Sequence, residues 1–288
     1  MTLVANLSTP AGRRLRIVPS RLGVLSIHLD GAPCRVGCEF CYLGARAGGT
    51  GPALDGDLLE ELIGRLDFAE VAVAVSEPAV KVLPSLRRIV AAAGQRRRLV
   101  AVTTTASVLA TNPEILEGVG RINLSVDPRK GAVDVGRIAF VAHAAKALAT
   151  PPPAIALIVS LVSPAFVERL TDGLLADLCA VDEVDHIALN GLKPPPPWCD
   201  RAFWLRTLAR LGPLLDRHLD RRLFLDCYVA ARILGLGGCP ARPDVSTGRE
   251  FRACVYQAAA DFRFADADEL ATRLDEFTAP TRCPFPIP

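Results

Sequence analysis

The chain has 288 residues, half of them apolar, with 33 basic against 31 acidic side chains and a formal net charge of +2. That length can bury a large core and suits one α/β domain, alone or with a small appendage. The even charge balance argues against a nucleic-acid or membrane surface, and the longest apolar run, around "PPPAIALIVSLVSPAFVERL", is too broken by prolines to span a bilayer as a helix.

The first twenty residues, "MTLVANLSTPAGRRLRIVPS", lack a charged-then-apolar layout with a small-residue cleavage site. No secretory signal is expected, and the expected location is cytoplasmic. From residue 23 strand-like and helix-like segments alternate. "GVLSIHLDG" (23–31) reads as a strand and runs into a cysteine-rich loop. Helical apolar spacing in "LDGDLLEELIGRL" (54–66) follows, with aspartate at its start. "EVAVAVSEP" (70–78) is a second strand ending at Pro78, and "KVLPSLRRIVAAAG" a helix expected to stop at Gly94. Arg96, Arg97 and Arg98 read as a solvated helix end, with phosphate binding the minority alternative.

"RLVAVTTTA" (98–106) is the third strand, with a short helix expected near Pro113–Val119. "RINLSVD" (121–127) is the fourth, followed by a helix from about Val135 to Leu148. "AIALIVSLV" (154–162) is the fifth, followed by "PAFVERLTDGLLADLC". "VDHIALNGL" (184–192) is the sixth, followed by a stiff four-proline loop (194–197) and the helix "RAFWLRTLARLGPLLDRHL". Six β-then-α units imply a parallel sheet wound with right-handed crossovers, either open or barrel-like. The apolar strands are expected to be covered on both faces. Periodicity does not choose between barrel and open sheet.

After residue 220 the rhythm changes. "RRLFLDCYVAARILGLGGCPARPDVSTGREFRACVYQ" is rich in Gly, Pro and Cys, a short helix follows in "DADELATRLDEF" (266–277), and the chain closes on "PTRCPFPIP". The division is therefore a core over 1–220 and a small irregular extension over 221–288.

Nine cysteines without an export signal do not suggest a disulfide framework, because reducing cytosol keeps thiols reduced. Cys179 reads as an inert buried thiol. Cys34, Cys38 and Cys41 are different: they fall on one short loop with the spacing C-x3-C-x2-C. Three thiolates so placed can hold three irons of a [4Fe–4S] cube and leave the fourth iron open to another ligand. The blander alternatives are a zinc site completed by His28 or a distant cysteine, or chance clustering, though no partner C-x2-C knuckle is visible.

This loop, with Phe40 just before its last cysteine and placed after the first strand of a β/α series, resembles the radical S-adenosylmethionine superfamily over about residues 20–230. The resemblance implies a partial (β/α)6 barrel with a small Cys-rich C-terminal extension. The cofactors it implies are a [4Fe–4S] cluster and S-adenosylmethionine at the C-terminal mouth of the strands. The open iron would chelate the amino and carboxylate groups of the methionine part. One-electron reduction would then cleave the sulfonium bond to a 5′-deoxyadenosyl radical that takes hydrogen from a substrate. In the family the second strand usually ends in Gly-Gly-Glu-Pro. Here "AVSEP" keeps Glu77 and Pro78, with Val75 and Ser76 in place of the glycines.

By the same resemblance Phe40 shields the cluster beside the adenine, with Tyr42 next along, and Ser125 and Asp127 in "NLSVD" reach the cofactor. Asn190 and Lys193 read either as contacts to adenine or substrate or as part of a turn with Gly191. The Thr103–Thr105 run faces the same mouth or simply fills a strand end. Cys227, Cys239, Cys254 and Cys283 lie in the tail, whose thin core suggests a metal or cluster to fold it. With Gly248 shortly before Cys254, the tail resembles the auxiliary-cluster extensions called SPASM or twitch domains, and has cysteines for one second Fe–S cluster at most. Cys199 reads as a loop thiol or a hydrogen donor.

The function so implied is hydrogen abstraction from a small-molecule or peptide substrate, with a flavodoxin- or ferredoxin-type reductant and no membrane or nucleic-acid partner. About twenty residues precede the first strand, too few for the leader-binding domain many peptide modifiers carry, which favours a small substrate. The competing class is a non-catalytic iron–sulfur or zinc protein in electron transfer or sensing. His28 is expected to line the cavity, whereas His143, His186 and His218 read as helix, strand and surface residues. No individual catalytic residue is identified.

Overall fold

The computed structural model describes residues 5–8, 14–17, 24–28, 56–65, 68–75, 83–128, 133–192, 195–218, 223–225, 244–246, 249–254 and 260–276. A hairpin of β1 (Ala5–Ser8) and β2 (Arg14–Ile17) forms a separate two-stranded antiparallel sheet. Seven parallel strands then make the core: β3 (Val24–His28), β4 (Glu70–Ala74), β5 (Leu99–Thr104), β6 (Arg121–Val126), β7 (Ala154–Leu161), β8 (His186–Gly191) and β9 (Leu223–Leu225). Each is hydrogen-bonded to the next, so their order in the sheet is their order in the chain. That sequential order decides what periodicity could not. A doubly wound sheet reverses order at a switch point, whereas strictly sequential right-handed crossovers put every helix on one face and leave a half-barrel.

The helices on that outer face are α1 (Gly56–Arg65), α2 (Leu83–Gln95), α3 (Ala106–Thr111), α4 (Val135–Leu148), α5 (Pro164–Arg169), α6 (Leu175–Cys179) and α7 (Arg201–His218). Their starts are written in the chain. Asp134 accepts the Arg137 N–H at 3.1 Å, Ser163 that of Phe166 at 3.2 Å with Pro164 behind it, and Asp200 that of Phe203 at 2.6 Å. A π-helical turn, Leu170–Leu174, joins α5 to α6, with Gly173 at φ 151°.

Helix α2 does not stop at Gly94. It ends one residue later, at Gln95, in a Schellman motif: Arg97 has φ 54°, its N–H meets the Gly94 carbonyl at 3.0 Å, and the Arg98 N–H meets that of Ala93 at 2.9 Å. Arg96 and Arg97 are exposed, while the Arg98 guanidinium lies 4.1 Å from the Phe68 ring centroid.

Two further differences from the sequence expectation concern the edges. Residues 223–225, assigned to the irregular tail, form a seventh parallel strand paired with β8. The chain then returns to the opposite edge, where β10 (Asp244–Ser246) lies parallel to β3, with Asp244 opposite Ser26 and Val245 opposite Ile27. Strands β11 (Glu250–Arg252) and β12 (Phe262–Arg263) continue the sheet antiparallel, making ten strands in all.

This part of the extension has apolar packing of its own. Phe251 stacks on Phe262 with centroids 4.7 Å apart, and Phe264, Ala267 and Leu270 are buried beside α8 (Ala267–Glu276). A reciprocal cap starts α8: Asp266 accepts the Glu269 N–H at 2.8 Å and Glu269 accepts the Ala265 N–H at 2.7 Å. Residues 249–254 and 260–276 thus have apolar contacts of their own, while Cys227, Cys239 and Cys283 lie outside the described residues. No helix among the described residues is long and apolar enough to cross a membrane.

Candidate functional site

Side chains alternate across the half-barrel by size rather than by polarity. On the outer face Val71, Val73, Val100, Val102, Ile122 and Leu124 are buried against the helices, and β7 and β8 add Ile155, Leu157, Ile187 and Leu189. The concave face carries Ala72 and Ala74 on β4, Ala101 and Thr103 on β5, and Asn123 and Ser125 on β6. Strand β7 adds Ala156, Ile158 and Ser160, and β8 adds Ala188 and Asn190. Most of these inward side chains are only half-buried. The expectation of two covered apolar faces is therefore corrected: one face is packed and the other is small and polar. Complete barrels fill their interior with Val, Ile and Leu. Here the described inward positions of these strands are mostly alanine, serine, threonine and asparagine.

Position along the strands sorts the candidates. Ser125 lies on the concave face near the C-terminal end of β6, opposite Ile158. Asp127 follows that strand and is buried, and neither residue is without a partner. Asn190 lies near the C-terminal end of β8, directly opposite Ser160. Ser125, Asp127, Ser160 and Asn190 thus share the mouth. Ser160 was not singled out from sequence, although its position two residues beyond Ile158 on an alternating strand marks it.

The Thr103–Thr105 run divides. Thr103 faces inward, Thr104 is buried on the outer face, and Thr105 caps α3 by accepting the Val108 N–H at 3.2 Å. Cys199 is buried in the turn before α7, its N–H bonded to the Pro196 carbonyl at 2.9 Å. Cys179 is buried at the end of α6, as expected.

At the other, N-terminal end of the concave face the structure shows a polar floor. Arg121 donates through Nη2 to Glu70, reaching across β5, and through Nε to Asn123 Oδ1 at 3.1 Å. Asn123 Nδ2 in turn donates to Thr103 Oγ1 at 3.2 Å. His186 stands on the same face in register with Ala156, edge-on to Phe224 with ring centroids 5.3 Å apart. Burial holds its imidazole below the ordinary histidine range; the nearby Asp185 charge opposes that and Arg121 adds to it. His186 is nonetheless partly open to solvent, and His143 is exposed as well, 3.1 Å from Glu183 in a surface pair.

Cys34, Cys38, Cys41, Phe40, Tyr42, Glu77, Lys193, Cys227, Cys239 and Cys283 lie outside the described residues, as does the His28 side chain. Chain order nonetheless fixes two points. The C-x3-C-x2-C loop follows the C-terminal end of β3, and Glu77 lies two residues past Val75, whose N–H meets the Thr103 carbonyl at 2.9 Å. Cys254 is described and buried. Since Arg252 is in register with Asp244 and hence with Ser26, β11 carries Cys254 towards the N-terminal ends of the parallel strands, away from the mouth. Among the described residues no group of three or more His, Cys, Asp or Glu side chains is assembled to hold a metal ion. No protein-family model matches the chain, and no curated protein matches it.

Proposed function

We propose that the chain is a radical S-adenosylmethionine enzyme acting on a small molecule. One observation carries the reading. A C-x3-C-x2-C loop directly follows the first strand of a sequentially ordered parallel half-barrel, and the concave face of that half-barrel is lined by small and polar side chains. Ligands of parallel α/β sheets bind beyond the carboxyl ends of the strands; in chain order the loop follows β3 and Glu77 follows β4, and Ser125, Asp127, Ser160 and Asn190 lie at or just past the ends of β6, β7 and β8.

In this reading Cys34, Cys38 and Cys41 would hold three irons of a [4Fe–4S] cluster, which with S-adenosylmethionine bound would supply one-electron radical chemistry. The chain's own residues bind and orient. Glu77 offers a carboxylate for the methionine amino group. Phe40, next to Cys41 in the chain, would shield the cluster. Ser125, Asp127 and Asn190 supply hydrogen-bonding groups for ribose and adenine, with Ser160 beside them. The alanines below leave room for a substrate within reach of the radical. An external flavodoxin- or ferredoxin-type reductant delivers the electron.

Apolar packing at residues 249–254 and 260–276 supports an extension that folds without a second cluster, and the register of Cys254 carries it away from the mouth. We therefore read one catalytic cluster, with Cys254 a packed thiol of the extension. Iron and sulfide counts on anaerobically reconstituted protein test this. Wild type is expected to hold about four irons, and a Cys34→Ala, Cys38→Ala, Cys41→Ala variant none. About eight irons falling to about four would restore an auxiliary cluster; iron content unchanged in the variant would overturn the site itself.

A further inference from the structure

The polar floor has an unused edge. A guanidinium has five N–H donors. Arg121 commits Nε to Asn123 and one Nη2 proton to Glu70, and among the described residues Nη1 has no hydrogen-bond or ion-pair partner. Its side chain is 28% exposed, whereas that of Glu70 is 11% exposed, so the pair is sunk with the arginine uppermost. The register explains the space around it. Arg121 pairs with Ala101 on one side and Ala154 on the other, and Ala101 pairs with Ala72. Four neighbouring strands thus present three alanines and one arginine at one level, so the strand residues directly beside Arg121 are small. Glu70 and Asn123 clamp its other edge and fix its plane.

We infer that Arg121 is the substrate anchor of the concave site, and that the substrate is a small organic acid whose carboxylate docks on the Nη1/Nη2 edge. A fixed guanidinium plane suits bidentate recognition of a carboxylate. Glu70 already offsets much of the positive charge, which favours a singly charged carboxylate over a doubly charged phosphate. Four strand residues separate Arg121 from Ser125, roughly 13 Å at the usual rise. Allowing for the arginine side chain, a molecule the size of an amino acid or dipeptide held at the floor would bring its far end to the mouth. This inference rests on the proposed function for what happens at the mouth, but the anchor itself does not depend on it.

The test uses reconstituted protein without S-adenosylmethionine, with glutarate as probe and its diamide, glutaramide, as the uncharged control, measured by titration calorimetry. Removing Arg121 alone leaves Glu70 buried without its counter-charge and invites misfolding. The variants are therefore Glu70→Gln, which keeps an acceptor for Arg121 but removes the competing charge, and Glu70→Gln with Arg121→Gln, which removes both charges. Circular dichroism verifies that each is folded. Glutarate is expected to bind wild type, to bind Glu70→Gln roughly tenfold more tightly, and to be lost in the double variant, with glutaramide bound by none. Equal glutarate affinity in wild type and double variant, no gain in Glu70→Gln, or tighter binding of inorganic phosphate than of glutarate would each overturn the anchor. Because cofactor cleavage is not the readout, failure of the anchor and failure of the radical chemistry are separable.

Discussion

Asn123 and Thr103 face each other across the β5–β6 pair and are joined by an Nδ2–Oγ1 hydrogen bond of 3.2 Å on the concave face. The bond matters because Asn123 also accepts from Arg121, so the hydroxyl of Thr103 sets which way the amide points and hence how the guanidinium lies. Thr103→Val keeps the shape and removes the partner. It is expected to cost about 1 kcal/mol in denaturant unfolding and to weaken glutarate binding without abolishing it. Unchanged values for both would show that Arg121 is held by Glu70 alone.

Arg97 adopts a left-handed backbone at the end of α2, a conformation that costs an L-residue about 1 kcal/mol and glycine far less. Its side chain is exposed and makes no ion pair with the described residues. Arg97→Gly is therefore expected to raise stability by about 0.5 kcal/mol after the entropy glycine returns to the unfolded chain. A lower urea midpoint would mean that Arg97 makes a contact outweighing its backbone strain.

Asp185 fastens the lower ends of β7 and β8. Its carboxylate accepts the Ile155 N–H at 2.7 Å and Lys146 lies 3.0 Å away. The two partners are predicted to contribute unequally. Asp185→Ala strands a strand-end N–H and should cost about 1–2 kcal/mol, whereas Lys146→Ala removes a partly exposed ion pair and should cost about 0.5 kcal/mol or less. Equal losses would place the stability in the ion pair instead.

Glu250 on β11 gives the extension a pH response. Burial alone would raise its carboxyl, but hydrogen bonds and charge from Arg252 and Arg263 outweigh it, and the group sits below the ordinary glutamate value. A folded-state value depressed below the unfolded one contributes stability above the unfolded value, which is lost as pH falls through the folded value. Wild type should therefore lose more stability than Glu250→Gln between about pH 7 and about pH 3, with the difference vanishing at the acid end. Parallel curves would remove Glu250 from the acid response.

Much of the core was legible because local signals agreed. Helix α4 was expected from about Val135 to Leu148 and has those limits, with Asp134 as its cap. Strand β6 was placed to within a residue, because Ile122, Leu124 and Val126 alternate with polar positions. What was missed depended on tertiary context. The three consecutive threonines read as one strand end, but Thr105 already belongs to the cap of α3. Leu223–Leu225 is too short to announce itself and becomes a strand only by pairing with β8. The polar floor was hidden for another reason. Glu70 and Arg121 are 51 residues apart, and only the register of β4, β5 and β6 brings them together. Reading the inward parity of Ser125 back along β6 would have flagged Asn123 and Arg121; nothing local would have flagged Glu70.

The central claim is that the cysteine loop and the half-barrel mouth together cleave S-adenosylmethionine reductively. The most direct measurement is 5′-deoxyadenosine formed when anaerobically reconstituted protein is given S-adenosylmethionine and dithionite, quantified by mass spectrometry. Wild type is predicted to form it, the Cys34→Ala, Cys38→Ala, Cys41→Ala variant to form none, and Glu77→Ala to form much less. No 5′-deoxyadenosine from cluster-loaded wild type, or equal amounts from the triple variant, would contradict the account and leave a non-catalytic iron–sulfur or zinc protein.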